Sequence, residues 1–446
     1  MKKILKKILG QTFSPESFLY HAYHKSRGIA AALTAGFPAR KMIIIGVTGT
    51  NGKTTTCNLL GQILEATGEK VGLATTVNFW IGHKRWINET KMTTFSPFQL
   101  QGLLKQMVKA GCRYAIVETS SHALAQHRTW GIDYDVAVFT NLTPEHLDFH
   151  GTFEKYRDAK AKLFRELLLS RRKGNTPKVA VLNFDDPAAA IFAQHPADKK
   201  YFYSVEKFDA GDTKESPVSA NIVQASSSST TFELATPVGN IAIELRLPGR
   251  FNVANALAAA SAALALDVPL AIIKKGLEYV DGVPGRMERI NAGQPFTVIV
   301  DYAHTPDGFE QVLSTVRTFT EGKLIAVFGA AGNRDKTKRP LLGEIASKYA
   351  DILVLTEEDP GSEDPIAIIN SIKTGIPPRF RESIDLFTVP VRKDAVFRAF
   401  QLAKPNDTVM LLAMGAQTKM ATKHGFVPYD EREFARNLLK STVSRR

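Results

Sequence analysis

The 446-residue chain has only two cysteines, Cys57 and Cys112, too few for a disulfide framework and without the spacing of a zinc site. That usage suits a reducing compartment, and a cytoplasmic location is the expectation. No uninterrupted apolar run reaches the ~18 residues a membrane-spanning helix requires. Basic residues are not interleaved with aromatic ones in a nucleic-acid motif. They are spread along the chain despite a formal net charge of +13, which argues against a nucleic-acid partner. Internal repeats and long low-complexity tracts are also missing. What is present is ordinary for a globular protein: 44% hydrophobic and 23% charged residues, in a chain long enough for two or three domains. The positive balance suits substrates that are polyphosphates and carboxylates.

The N-terminal stretch MKKILKKILG sets Ile4, Leu5, Ile8 and Leu9 on one helical face and Lys2, Lys3, Lys6 and Lys7 on the other. Such a helix can lie weakly on an anionic membrane surface; the plain alternative is a solvated terminal helix. The apolar stretch from Ile29 to Leu33 is read as leading straight into the first strand, so a cleaved signal peptide is not expected.

From residue 41 onward, short apolar runs alternate with helical patterns: 42–47, 71–75, 114–117, 136–140 and 178–183. That order predicts an α/β fold with a doubly wound, mainly parallel sheet. Over 216–248 the texture changes to alternation, which predicts antiparallel hairpin strands beside that sheet. Residues 252–265 are alanine-rich and helical. A second parallel set, 296–300, 324–328, 352–355 and 409–412, follows Gly282-Val-Pro-Gly285, a natural boundary. The expected organisation is a short basic helical segment (1–40), a central ATP-binding domain (41–284) and a Rossmann-like α/β C-terminal domain (285–446).

The stretch Gly46-Val-Thr-Gly-Thr-Asn-Gly-Lys-Thr-Thr55 follows an apolar strand and opens a helix, the context in which a glycine-rich match is credible as a phosphate loop. Gly49 and Gly52 let backbone N–H groups from Gly49 through Thr50, Asn51 and Gly52 to Thr55 turn toward phosphate. Lys53 can meet the terminal phosphates, and Thr54 can hold Mg2+. Glu118 ends a strand near that cation, where a hard metal wants carboxylate oxygen; the plain reading is a surface charge. Taken alone, His146 reads equally well as a satisfied core histidine, and Lys160 as a solvated helical lysine beside Lys162.

The loop spacing resembles the ATP loop of the Mur ligase superfamily, which includes the folylpolyglutamate synthetases. The resemblance continues through ETSSHALAQHR (118–128), NLTPEHLDFHG (141–151), DAKAKLF (158–164), LPGRFNVAN (247–255), GVPGRME (282–288), VDYAHTPD (300–307) and RDKTKRP (334–340), in the order of the muramoyl-tripeptide synthetases. It implies a ligase that turns a peptide carboxylate into an acyl phosphate with ATP, for attack by an amino acid's amine, in peptidoglycan precursor synthesis. It further implies that His146 ligates a second Mg2+ and that Lys160 carries a CO2-derived carbamate able to join the metal ligands. Asn252 and Asn255 would hold adenine and Asp301 the ribose. Arg286 would reach the phosphates as the domains close, and the protein would be a monomer. Thr93, Thr94, Ser120, Gln126 and Arg128 match the grip on the UDP-muramoyl-peptide.

Two departures stand out. The family usually carries a further domain before the loop that holds the UDP group, whereas 45 residues precede Gly46 here. In the amino-acid pocket Arg334 is kept, but Asp-Asn-Pro-Arg is replaced by Glu358-Asp359-Pro360-Gly361 and Gly-Lys-Gly-His-Glu by Ala413-Met-Gly-Ala-Gln417. Gly361 removes an arginine and Gln417 a carboxylate, so the amino acid added stays open. A polyglutamate-type ligase and a non-catalytic nucleotide-binding scaffold are the alternatives.

Overall fold

The computed structural model describes residues 17–206, 208 and 215–443. The basic stretch 1–10 lies outside the described residues. The chain from Ile29 to Leu33 does not run directly into a strand: it is the end of an 18-residue helix, Phe18–Ala35, followed by a 3-10 turn at Pro38–Lys41. Alanine repeats favour the helix, and Gly36 at φ 75° ends it by taking the left-handed cap.

Among the described residues the first sheet has eleven strands. They are β1 (Ile43–Thr48), β2 (Val71–Ala74), β3 (Asn78–Ile81), β4 (Lys84–Ile87), β5 (Tyr114–Glu118), β6 (Val136–Phe139), β7 (Val179–Asn183), β8 (Lys199–Ser204), β9 (Ser216–Ala225), β10 (Thr230–Thr236) and β11 (Gly239–Leu245). Their order is β11-β10-β9-β8-β7-β6-β1-β5-β2-β3-β4. β1 pairs in parallel with β5 and β6, with Val47 opposite both Glu118 and Val138. Helices cover both faces, so the central strands are apolar without alternation. The β9–β11 meander is antiparallel and alternates as expected.

The second sheet joins β12 (Glu288–Arg289), β13 (Thr297–Val300), β14 (Leu324–Phe328), β15 (Ile352–Leu355), β16 (Leu386–Thr388) and β17 (Thr408–Leu411) in the order β12-β13-β17-β14-β15-β16. It has its own apolar layers on both faces. A small hairpin, β18 (Lys419–Thr422) and β19 (Gly425–Pro428), follows. The fold class is therefore the expected one: a doubly wound, mainly parallel sheet with an antiparallel extension, then a second α/β sheet. Strand C-termini of both sheets open on one cleft, where ligands bind in such folds.

Candidate active site

β1 delivers the glycine-rich loop, and the Lys53–Ala66 helix begins inside it. Gly52 caps that helix at φ 81°, and a Cβ there would lie 2.2 Å from Asn255 Oδ1. At Gly49, φ 151°, a Cβ would lie 1.8 Å from Thr140 Oγ1. The loop is thus shaped by neighbours that leave no room for side chains. Lys53 Nζ donates to the Gly49 and Thr50 carbonyls at 3.0 and 2.7 Å.

Lys160 meets the loop from the other side. Its Nζ donates to the same Gly49 carbonyl at 2.6 Å, and the residue is 1% exposed. Its reading as a solvated lysine is overturned, because the Phe153–Arg165 helix turns Tyr156, Lys160, Ala161 and Phe164 inward. The ammonium lies 4.5 Å from the centre of the Tyr156 ring, whose hydroxyl is 2.9 Å from Thr50 Oγ1. Burial first, then the Lys53 charge, holds the Lys160 amine well below the usual lysine range. Burial likewise lowers Lys53.

Glu118, at the end of β5, is buried beside the loop. Thr54 Oγ1 and the Thr76 backbone N–H donate to its Oε2 at 2.9 and 2.7 Å, and Thr76 Oγ1 donates to its Oε1 at 2.8 Å. A carboxylate touching a phosphate-loop hydroxyl is a donor set that fits Mg2+. Among the described residues no group of three or more His, Cys, Asp or Glu side chains gathers at metal-binding spacing. A cation held here would complete its shell with substrate oxygens and water, as Mg2+ commonly does. His146 sits at φ 58° between Glu145 and a short helix, its ring 4.7 Å from that of His122. Burial, then His122 and Lys160, lowers His146 below the usual histidine range and keeps the imidazole neutral, with a lone pair to offer.

Two cavities, about 730 and 610 Å3, share Asn51, Gly52, Thr55 and Arg286 as common walls. The first is lined by Asn252, Asn255 and Asp301. Asn255 Nδ2 donates to Asn252 Oδ1 at 3.2 Å, and both oxygens of Asp301 accept backbone N–H groups, from Ala303 and Met287, at 2.7 Å each. Thr93, Glu118, His146, Arg334, Gly361 and Gln417 line the second cavity. Arg286 reaches across the shared wall, donating to Thr54 Oγ1 at 3.3 Å with its guanidinium 4.6 Å from the Tyr302 ring.

The remaining candidates form one network beside the second cavity. Thr94 Oγ1 donates to the Glu118 carbonyl at 2.8 Å and is 3.2 Å from Ser120 Oγ. Arg128 donates to the Thr94 carbonyl at 3.0 Å and to Gln126 Oε1, while Gln126 Nε2 donates to Tyr20 OH at 2.7 Å. The Phe18–Ala35 helix thus touches a residue that the family resemblance links to the acyl acceptor.

In the second cavity, Gln417 Nε2 donates to Tyr302 OH at 3.2 Å. Gly361 lies at φ 60°, and a Cβ would fall 2.4 Å from Asn333 Oδ1, so this backbone disfavours any larger residue. Burial, reinforced by Asp359, raises the Glu358 carboxyl to about 7. Lys91, which no sequence signal singled out, donates to both oxygens of Asp359 at 2.6 and 2.5 Å across the cleft. Lys338 and Glu145 make a second buried ion pair across it at 3.3 Å. His304 and Tyr302, also missed, sit inside the VDYAHTPD motif; burial foremost lowers His304 to about 3.

A phosphate loop facing a second buried lysine, in a cleft between two α/β sheets, defines a nucleotide-using enzyme of two catalytic halves. Residues 47–263 match the Mur ligase middle domain and 285–415 the Mur ligase glutamate ligase domain. A UDP-N-acetylmuramyl-tripeptide synthetase of Roseiflexus sp. (strain RS-1) is 45% identical over 418 residues, covering 92% of this chain and 81% of that protein. A UDP-N-acetylmuramoyl-L-alanyl-D-glutamate–2,6-diaminopimelate ligase of Halalkalibacterium halodurans is 42% identical over 91% of this chain and 80% of its own. Among solved structures, a ligase of that last description superposes with a TM-score of 0.60 at 33% identity, over 90% of this chain and 79% of the other. Folylpolyglutamate synthase of Mycobacterium tuberculosis with ADP superposes with a TM-score of 0.70 over 92% and 95%, at 18% identity, a likeness of fold. The chain belongs to the Mur ligase family and is an ATP-dependent ligase.

Proposed function

We propose that the protein joins an amino acid to the free carboxylate of a UDP-N-acetylmuramoyl-dipeptide, through an acyl phosphate, with release of ADP and phosphate. The observation that carries this reading is the convergence of Lys53, Lys160 and Glu118 on one phosphate loop, at the seam of two cavities large enough for a nucleotide and for the two reacting partners. The names of the relatives at 45 and 42% identity support the choice of acceptor.

Residues 41–284 would then form the ATP half and residues 285–446 the amino-acid half. Adenine would lie against Asn252 and Asn255, the ribose against Asp301, and the phosphates against backbone N–H groups of Gly49 to Thr55. Lys53 and Arg286 would neutralise charge on the transferring phosphoryl group. Thr54, Glu118, His146 and a carbamylated Lys160 would hold Mg2+ ions, which offset phosphate charge when bound. Thr93, Thr94, Ser120, Gln126 and Arg128 would align the acceptor carboxylate, and Arg334, near Gly361 and Gln417, the amino acid. Most of the rate would come from positioning, since the chemistry needs only in-line attack and a free amine.

Phosphate release on purified protein with ATP, Mg2+, UDP-muramoyl-dipeptide and each of the twenty amino acids plus diaminopimelate tests the reading. One amino acid should stimulate release well above ATP and acceptor alone. No stimulation by any of them would defeat the choice of acceptor.

A further inference from the structure

We propose that Tyr20, on the Phe18–Ala35 helix, is a positioning residue for the acyl acceptor: through Gln126 it fixes the guanidinium of Arg128. The inference rests on the acceptor assigned under the proposed function. Helix packing sets the geometry. Gly28, Ala31 and Ala32 are the buried residues of the helix, and a Cβ on Gly28 would lie 2.6 Å from the His127 carbonyl oxygen and 2.8 Å from Trp130 Cβ. Bare backbone there lets the helix lie directly against the 126–130 segment. Tyr20 comes about three turns before Ala31 and so stands on the same packed face, half-buried. The Ser17 side chain accepts the Tyr20 backbone N–H at 3.2 Å, a cap that orders this first turn. The tyrosine hydroxyl then meets Gln126, whose Nε2 donates to it at 2.7 Å.

The Gln126 amide is a two-ended link. Its nitrogen is spent on Tyr20, so its Oε1 faces Arg128 and accepts from Nε at 2.8 Å and from Nη2. Arg128 Nη1 donates to the Thr94 carbonyl at 3.0 Å. Thr94 Oγ1 in turn donates to the Glu118 carbonyl at 2.8 Å and accepts the Ser120 backbone N–H at 3.0 Å. The chain of bonds thus runs from the helix to the strand end that carries Glu118. Without the tyrosine hydroxyl the amide is free to rotate, and its NH2 group then points at a guanidinium that has only donors to offer. Arg128 has much to gain from being held. Among the described residues no carboxylate pairs with it, and burial foremost lowers the guanidinium below its usual range, Tyr20 opposing and Arg27 adding to the effect. A half-buried cation without a counter-ion attracts one, and the N–H groups that Gln126 and Thr94 leave over suit an anionic oxygen pair of the acceptor.

The test is steady-state kinetics of the full chain as wild type, Tyr20→Phe, Gln126→Ala and the double variant, with UDP-N-acetylmuramoyl-dipeptide varied at saturating ATP and the amino acid that stimulates wild type. Tyr20→Phe removes the hydroxyl and keeps the ring beside His24, 4.3 Å between ring centres. It should raise the Michaelis constant for the acceptor about 3–10-fold, the effect of one lost hydrogen bond, with kcat and the Michaelis constant for ATP within about twofold of wild type. In the Gln126→Ala background the same change should alter the acceptor constant by less than about twofold, because the link is already cut. A ring that only packs would give no rise on losing its hydroxyl, or an equal rise in both backgrounds, and either result overturns the proposal. Wild type without acceptor-dependent turnover would defeat the acceptor and this inference with it. Turnover by wild type with an unaltered acceptor constant in Tyr20→Phe would defeat this inference alone.

Discussion

At the scale of the residue, Lys160 is the side chain whose surroundings say most about the chemistry. Two lysine amines donate to one carbonyl, that of Gly49. Two ammonium ions cannot share a buried site cheaply, and burial first, then the Lys53 charge, presses the deeper one, Lys160, well toward the free base. A free amine is the form that attacks CO2: the N–C bond forms, a proton leaves, and the cation becomes an anionic carbamate. Lys160→Ala should therefore slow turnover by about 10–100-fold, the usual effect of disturbing a metal-ligand shell, and acetate should restore part of it. Loss without rescue by acetate, together with indifference of wild type to bicarbonate, would count against the carbamate.

Glu358 carries a second prediction at this scale. Burial raises its carboxyl from 4.5 to about 7, with Asp359 adding to the rise and Lys338, Arg392 and Lys91 opposing it. The folded state then binds an extra proton between those two values, so stability falls as pH rises through that window. Glu358→Gln should gain about 1–3 kcal/mol over wild type at pH 8 and little at pH 4.5. Urea unfolding at both pH values measures it; an equal gain at each would refute the account.

At the scale of the element, what was legible depended on how many faces a segment buries. β1, β5, β6 and β7, with β13, β14, β15 and β17 of the second sheet, are covered on both sides, so each is a bare apolar run and stood out in the sequence, whereas the polar Glu288–Arg289 of β12 and the three-residue β16 did not. The β3–β4 hairpin was not foreseen, because β4 reads Lys-Arg-Trp-Ile, exposed at the sheet edge. β8 escaped for the same reason, with Lys199 exposed and Lys200 to Phe202 only half-buried. Lys160 was illegible in another way: its spacing on the helix is that of a surface lysine, and only the docking of that helix on the loop buries it. Gly361 was noticed as a missing arginine, yet its φ of 60° and the nearness of Asn333 are tertiary facts. Helix packing supplies a test at this scale. Gly276, in the Leu270–Glu278 helix, lets the Lys53–Ala66 helix approach so closely that a Cβ would lie 2.4 Å from Ile63 Cα. Helix propensity favours Gly276→Ala by about 1 kcal/mol. The obstacle is backbone rather than a movable side chain, so overpacking of about 1–3 kcal/mol should win. A variant as stable as wild type to urea would mean that the helices part at little cost.

At the scale of the whole molecule, the two sheets are tied across the cleft by contacts that surround the site. Asn51 Nδ2 donates to Asp307 Oδ2 at 2.8 Å, Arg286 meets Thr54, Lys338 pairs with Glu145, and Lys91 pairs with Asp359. The last of these stands in the wall of the second cavity, where its carboxylate also accepts the Ala421 backbone N–H at 2.7 Å. Both residues hold left-handed backbone, Lys91 at φ 59° and Asp359 at φ 41°, an uncommon conformation for side-chain-bearing residues. In the proposed reaction the amino acid would enter beside this pair, and its ammonium group, before losing its proton, would compete with Lys91 for Asp359, linking substrate entry to how firmly the cleft is held. Lys91→Met would leave Asp359 without its cation in a partly buried wall, a loss of about 2–5 kcal/mol for a truncated buried pair and less where solvent reaches it. The variant should then populate an opened cleft, seen as a larger radius of gyration in solution scattering without nucleotide, and the Michaelis constant for the amino acid should change more than kcat. Adding Asp359→Asn should recover part of the compaction, because the stranded carboxylate is gone. Scattering curves that superpose for wild type, Lys91→Met and the double variant would show that the other three ties hold the cleft without this pair.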